Sequence, residues 1–234
     1  MSGILYLIPT PLGKVSAEKS LPSSVISLIH ELKYFAVEQV KTSIQFLQSI
    51  KHPVTEFELN FIVINKQQKD SEQDMEVLNL LLSGESVGLM SEAGCPGVAD
   101  PGSQLIRLAH SAGIRVIPQV GPASMILALM ASGMSGQNFK FNGYLPIEKN
   151  ERKSKIKNLE KTSIITTQIF METPYRNNKF VSVLLEVLKP ETKLCIACDI
   201  TLTTEYIKTK KVKEWKSTKI DLNKRPAIFL IQSD

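Results

Sequence analysis

The segment best suited to chemistry is Ser91-Glu92-Ala93-Gly94-Cys95-Pro96-Gly97-Val98-Ala99-Asp100. Its small residues let backbone amides and carbonyls come close to a ligand. Capping of a following helix accounts for Asp100-Pro101, but not for the nine residues before Asp100. Gly121-Pro122-Ala123-Ser124 repeats the composition and ends on a hydroxyl at a helix start. Pro9-Thr10-Pro11-Leu12-Gly13 is a third constrained loop. Together these loops predict one shared pocket. Other chemistries have no support. There is no G-x-G-x-x-G after the first strand, no P-loop, no H-E-x-x-H and no G-x-S-x-G, and His30, His52 and His110 are scattered. Metal catalysis and a Rossmann dinucleotide site are therefore not expected, and no metal ligands are assigned. Cys195-Ile196-Ala197-Cys198 has redox spacing, but in an apolar strand an offset of three sends the two thiols to opposite faces, which reads as packing.

These loops need a sheet to position them. Ile4 to Ile8 and Val87 to Met90 read as buried strands, and Tyr34 to Val37, Phe61 to Ile64 and Ile114 to Pro118 as further short strands. Helices are expected after Pro22, over Ser43 to Ile50, around Met75, Leu78, Leu81 and Leu82, and from Pro101 with Asp100 as N-cap. This alternation predicts a parallel sheet with right-handed crossovers, whose carboxyl edge is where open α/β sheets bind ligands. After an apolar helix ending near Ala131 the pattern changes. Strands are expected at Phe139 to Tyr144, Ser163 to Met171, Leu194 to Ile200, Thr204 to Ile207 and Ala227 to Ile231, with helices near 150 to 160 and 177 to 188. Consecutive strands without a helix between them imply a mixed sheet. The expected division is residues 1–119 and 120–234, both α/β.

The 234 residues carry a net charge of +5, distributed unevenly. Residues 1 to 139 hold 9 basic and 12 acidic side chains, net −3, and residues 140 to 234 hold 19 and 11, net +8. A basic half suits a polyanion, and equally a solubilising surface. The longest strongly apolar run, Met125 to Ala131, is too short for a membrane helix, and Cys95, Cys195 and Cys198 are too few for a disulfide framework. A cytoplasmic protein with no membrane partner is expected.

Leu5 to Gly13, Ser91 to Gly102, Val120 to Ser124 with Ala131-Ser132-Gly133, and Asn142-Gly143-Tyr144-Leu145-Pro146 resemble, in order, the tetrapyrrole methylase family of class III S-adenosylmethionine-dependent methyltransferases. Within it, the chain looks most like the branch that methylates a cytidine ribose 2′-hydroxyl of 16S ribosomal RNA in the small subunit. The resemblance implies a two-domain α/β homodimer with the cofactor in the cleft between domains. It places Leu12, Ser91, Gly94, Cys95, Val98, Ser124 and Met125, with Met171, Cys198, Pro226 and Ala227 from the second domain, against S-adenosylmethionine. Plain core packing is the other reading of Met171 and Cys198. There are departures: Glu38-Gln39-Val40-Lys41 stands where the branch has Glu-Asp-Thr-Arg, Glu92 replaces an Asp, Tyr175 stands where His is common, and Lys224-Arg225-Pro226 replaces a Gly-Glu.

Methyl transfer of this kind asks the protein to position a nucleophile and exclude water, and a ribose hydroxyl also needs a base or a cation that stabilises the alkoxide. The base candidates are Glu38, Glu92 and Glu172. Lys41 and Arg176 are the expected substrate contacts. For RNA, the Lys-rich stretches 140 to 161 and 208 to 225 are the expected phosphate contacts, with Trp215 and Tyr206 available to stack on bases or else to pack in the domain. Two other readings stay open. One is methylation of a small tetrapyrrole such as a corrin or siroheme precursor, and the other is a binding protein that has lost catalysis.

Overall fold

A computed structural model describes residues 2–64 and 72–233. The chain divides into two compact units, Met1–Ala123 and Ser124–Asp234.

The first unit is a five-stranded sheet of β1 (Ile4–Ile8), β2 (Tyr34–Val37), β3 (Asn60–Val63), β4 (Val87–Met90) and β5 (Arg115–Pro118), ordered β3-β2-β4-β1-β5 with every pairing parallel. The crossovers are α1 (Ser23–Glu31), α2 (Val40–Ser49), α3 (Glu72–Ser83) and α4 (Ser103–Ser111). Val25 and Ile29 of α1 and Leu47 of α2 pack with Ile8, Phe35, Val37 and Met90 on one face of the sheet. Val77 and Leu81 of α3 and Leu105 and Ala109 of α4 pack with Leu5, Ala36, Val87 and Leu89 on the other. The chain thus leaves β1 toward one face and leaves its neighbour β4 toward the opposite face. That reversal is the topological switch point of the sheet, and it opens a crevice at the carboxyl ends of β1 and β4.

The second unit holds β6 (Phe139–Tyr144), β7 (Thr167–Met171), β8 (Lys193–Cys198), β9 (Tyr206–Lys211) and β10 (Ala227–Gln232) in the order β6-β7-β10-β8-β9. Only β6 and β7 are parallel, which makes this the mixed sheet expected. Helices α6 (Lys149–Thr162), α7 (Asn177–Val187) and α8 (Val212–Trp215) cover one face, while α5 (Ser124–Ser132) lies on β8, β9 and β10. Phe170, Phe180 and Phe229 form an aromatic cluster with ring centroids 5.1 to 6.2 Å apart. Each such pair adds about 0.5–1.5 kcal/mol beyond its buried area.

Several expectations are corrected. Helix α4 starts at Ser103 with Gly102, not Asp100, as its N-cap, because the backbone at Gly102 has φ +111° and packs against Leu89, whose Cδ2 would lie 2.7 Å from an added Cβ. Strand β7 starts at Thr167, since Ile164 and Ile165 lie exposed in the preceding turn. The helix expected around Met75, Leu78, Leu81 and Leu82 is α3, which buries Leu78 and Leu81 together with Val77 while Met75 and Leu82 face solvent. Trp215 is not available to stack on a base. It is 1% exposed, its indole N–H donates to the Leu194 carbonyl at 2.8 Å, and the Lys210 ammonium lies 5.2 Å from the ring centroid. The lysines on both sides of it hid this, because the apolar partners Leu194 and Leu222 come from other elements.

Trp215→Ala would empty a closed core position and remove the hydrogen bond to the Leu194 carbonyl, so we expect a destabilisation of about 3–5 kcal/mol in urea unfolding. A value under about 1 kcal/mol would contradict this placement.

Candidate functional site

The three small-residue loops follow β1, β4 and β5, at the carboxyl edge of the first sheet. Thr10 and Gly94 exchange a pair of backbone hydrogen bonds, N to O at 3.0 Å each way. The Thr10 hydroxyl donates to the Ser91 carbonyl at 3.0 Å, and the Ser91 hydroxyl donates to the Gly94 carbonyl at 2.6 Å. The second loop reaches the third through the Cys95 thiol, which donates to the Pro122 carbonyl at 3.5 Å. Two glycines make this closeness possible. Gly94 has φ +82°, and a Cβ there would meet Leu12 Cδ2 at 3.2 Å and the Pro122 oxygen at 3.6 Å. A Cβ on Gly121 would lie 2.4 Å from Pro9 Cβ. The switch point is therefore a frame of backbone groups, with Leu12, Ser91, Gly94 and Cys95 gathered on it. Val98 lies further along the loop and is exposed, and Ser124 and Met125 open α5 as the first residues of the second unit.

Beside the frame, on the α2 side, lies a pocket of about 310 Å³. It is lined by Thr10, Pro11, Gly13 and Lys14 after β1, by Met90 to Ala93, and by Thr42, Ser43, Gln45, Phe46 and Ser49 of α2. The Thr42 hydroxyl lies 2.7 Å from Glu92 Oε1 and donates to it, joining α2 to the β4 loop. Glu38 follows β2. Ala36 pairs with Leu89, so two residues further on Glu38 stands level with Ser91, one strand away. Lys41 is exposed in the first turn of α2. Glu38, Glu92 and Lys41 thus share the carboxyl edge with the loops.

In the second unit the register brings Ala227 opposite Cys198 and Ile228 opposite Met171, while the Pro226 carbonyl accepts from the Asp199 amide at 3.0 Å. Met171, Cys198, Pro226 and Ala227 therefore meet at one end of three adjacent strands. Glu172, next to Met171, is buried and committed: its Oε1 accepts from Arg176 Nη2 at 2.6 Å, Arg176 Nε at 3.0 Å and the Thr173 amide at 2.7 Å, and Arg152 Nη1 lies 3.8 Å from Oε2. Two guanidiniums therefore hold the Glu172 side chain in one place. The same contacts place Arg176 beside Glu172. Arg225, in the segment that departs from the family pattern, braces a turn by donating to Asp199 Oδ2 at 2.8 Å and to the Thr204 carbonyl at 2.7 Å.

Part of the basic surface is already neutralised. Lys211 and Lys213 both reach Glu191, at 2.8 and 2.6 Å, and hold its carboxyl down at about 2, while Lys153 pairs with Glu186. Lys155, Lys157, Lys161, Lys208, Lys216, Lys219 and Lys224 are exposed. Sequence reasoning gave no individual role to Thr10, Thr42 or Phe46. Thr42 and Glu92 are 50 residues apart, and no local pattern announces their contact.

Burial raises all three thiols. Cys95 moves up from 9.0, Cys195 to about 11, and Cys198 to about 12 with the neighbouring Asp199 adding to the effect. The folded chain thus keeps protons that the unfolded chain releases above about pH 9, so stability present below that value is lost as pH rises toward 12. We expect a maleimide at pH 8 to modify Cys95 alone in the native protein and all three thiols after unfolding, as read by mass spectrometry. Equal native rates at the three positions would contradict the burial of Cys195 and Cys198.

The chain is 33% identical to the ribosomal RNA small subunit methyltransferase I of Vibrio cholerae, over 87% of this chain and 67% of that protein. It is 32% identical to the protein of the same name from Buchnera aphidicola, over 88% and 68%, and 30% identical to that of Haemophilus influenzae, over 92% and 73%. No family model matches. Among solved structures, the methyltransferase CobJ superposes with a TM-score of 0.65 at 15% identity over 99% of this chain and 95% of that one. A conserved hypothetical protein from Aeropyrum pernix K1 gives 0.68 at 15% identity, over 100% and 85%. At such identity these two structures establish the fold alone, that of the tetrapyrrole methylases.

Proposed function

The chain belongs to the ribosomal RNA small subunit methyltransferase I family, and from that premise we propose that it transfers a methyl group from S-adenosylmethionine to the ribose 2′-hydroxyl of a cytidine in small-subunit ribosomal RNA. One structural observation carries the reading: the loops that resemble the family's cofactor motifs are the ones tied together at the switch point. The tetrapyrrole alternative rests on structural likeness at 15% identity, which speaks to fold and not to substrate. The resemblance further implies a cytoplasmic homodimer. No helix among the described residues is long and apolar enough to cross a membrane.

The switch-point residues fit the donor. Gly94 leaves a face that a Cβ would crowd, and the groups tied to it are the carbonyls and hydroxyls of Thr10 and Ser91, the Pro122 carbonyl and the Cys95 thiol, whose proton burial favours, all of which a sulfonium cation tolerates. Leu12, Ser91, Gly94, Cys95 and Val98 would hold it, and Ser124 and Met125, with Met171, Cys198, Pro226 and Ala227, carry the same assignment from the resemblance. When bound, S-adenosylmethionine supplies an electrophilic methyl whose sulfur leaves as a neutral thioether.

The chain's own work is to position the ribose, exclude water and take a proton. We assign the proton to Glu38. Glu38 stands level with Ser91 at the end of β2, closest in register to the loops that would hold the donor. The partly buried carboxylate accepts the hydroxyl proton as oxygen attacks carbon, while Lys41 and Arg176 serve backbone phosphates together with the exposed lysines.

Tritiated methyl transfer to small subunits isolated from unmethylated cells tests the reading. Wild-type protein should label the RNA, and Glu38→Gln should lower kcat by about 10²–10⁴ while leaving S-adenosylhomocysteine affinity intact. Gly94→Trp should abolish that affinity in calorimetry. A folded wild-type protein that neither binds S-adenosylhomocysteine nor labels the RNA would restore the non-catalytic reading. Replacing Lys155, Lys157 and Lys161 with Ala should reduce the salt slope of RNA binding by about one for each phosphate left without its lysine.

A further inference from the structure

The pocket on the α2 side of the switch point is separate from the frame of loop contacts. Leu12, Gly94, Cys95 and the third loop do not line it, whereas Thr10 and Ser91 belong to both. Its volume of about 310 Å³ falls at the lower end of the range, about 300–1,000 Å³, typical of small-ligand sites. Its walls have a definite chemistry. Phe46 offers a ring and Met90 an apolar floor, Gln45 brings a side-chain amide, and Glu92 brings a carboxylate that Thr42 holds in place. A carboxylate has about four acceptor sites, and the hydrogen bond from Thr42 uses one.

We propose that this pocket receives the unstacked cytosine base of the nucleotide being methylated, with Glu92 accepting from the exocyclic amine, Gln45 donating to the ring acceptors and Phe46 packing on the ring. The proposal rests on the methyltransferase reading above and extends it to how the nucleotide is chosen. RNA-modifying enzymes read unstacked bases on their Watson–Crick edge and against aromatic rings, and a carboxylate is the side chain that accepts from the cytosine amine. Uracil carries a carbonyl at that position, which a carboxylate repels. Glu92 is then a specificity residue. Its tether to Thr42 explains its geometry, since a carboxylate that must sort two pyrimidines has to be fixed in place. The arrangement also keeps Ser91 between the base and the donor loops, so the sugar of a base seated in the pocket falls toward the end of β4.

Small subunits bearing cytidine or uridine at the methylated position provide the test. Wild-type protein should prefer cytidine by about 5–150-fold in kcat/KM, the discrimination one well-placed base contact supplies. Glu92→Gln, whose amide can donate to the uracil carbonyl, should lower kcat/KM on cytidine and raise it on uridine, with unchanged S-adenosylhomocysteine binding. Phe46→Ala should lower both by the same factor. Thr42→Val, which releases the tether, should shrink the preference without inverting it, and it serves should Glu92→Gln fold poorly. A Glu92→Gln protein that loses activity equally on both substrates, with the wild-type ratio retained, would overturn the assignment. Absence of wild-type turnover on either substrate would instead overturn the parent reading, and this one with it.

Discussion

The first unit depends on one reciprocal contact, the paired backbone hydrogen bonds between Thr10 and Gly94. A sheet ordered β3-β2-β4-β1-β5 sends its chain to opposite faces from β1 and β4, so the two loops that leave those strands diverge. Left alone, divergent loops would each satisfy their backbone groups with water and would hold no fixed shape. The Thr10–Gly94 pair, reinforced by the Thr10 and Ser91 hydroxyls, joins them just before they part. Every other feature of the site is referred to that joint: the third loop through Cys95, α2 through Glu92, and β2 through the register that sets Glu38 beside Ser91.

The second unit uses charge where the first uses peptide groups. Glu172 is anchored by Arg176 and approached by Arg152, and Asp199 is anchored by Arg225 and Thr204, each at the end of a buried strand. A buried carboxylate deprived of its arginine would remain as an uncompensated charge, so these pairs hold their turns in a single arrangement. This gives the acidic start and the arginine of the Glu172 to Arg176 segment a structural purpose besides any contact with RNA.

Much of this was legible in the chain itself. Strands β1, β2 and β4 lie where short apolar runs between turn residues put them, because local burial decides such runs. The start of α4 was not, since Asp100-Pro101 is a sound capping signal that gives way to a left-handed glycine seated on Leu89, a neighbour distant in sequence. Trp215 among its lysines left stacking and packing both open, and its burial depends on strand β8 and on Leu222. The small-residue loops showed where the site would be. They did not show the pocket, because its far wall is α2, which meets Glu92 across 50 residues of chain.

The strand order also sets a timetable. β1 pairs with nothing near it in sequence: its two neighbours are β4, which begins at Val87, and β5, which begins at Arg115. At about 5–20 residues per second of synthesis, the apolar Ile4–Ile8 strand waits on the order of 4–16 s for its first partner. Such non-local pairing is slow in itself, because the loop entropy must be met before the contacts reward it. The donor loops are therefore among the last parts of the first unit to take shape, and a chain stalled before Val87 would carry an unmated interior strand, a surface that chaperones and aggregation compete for.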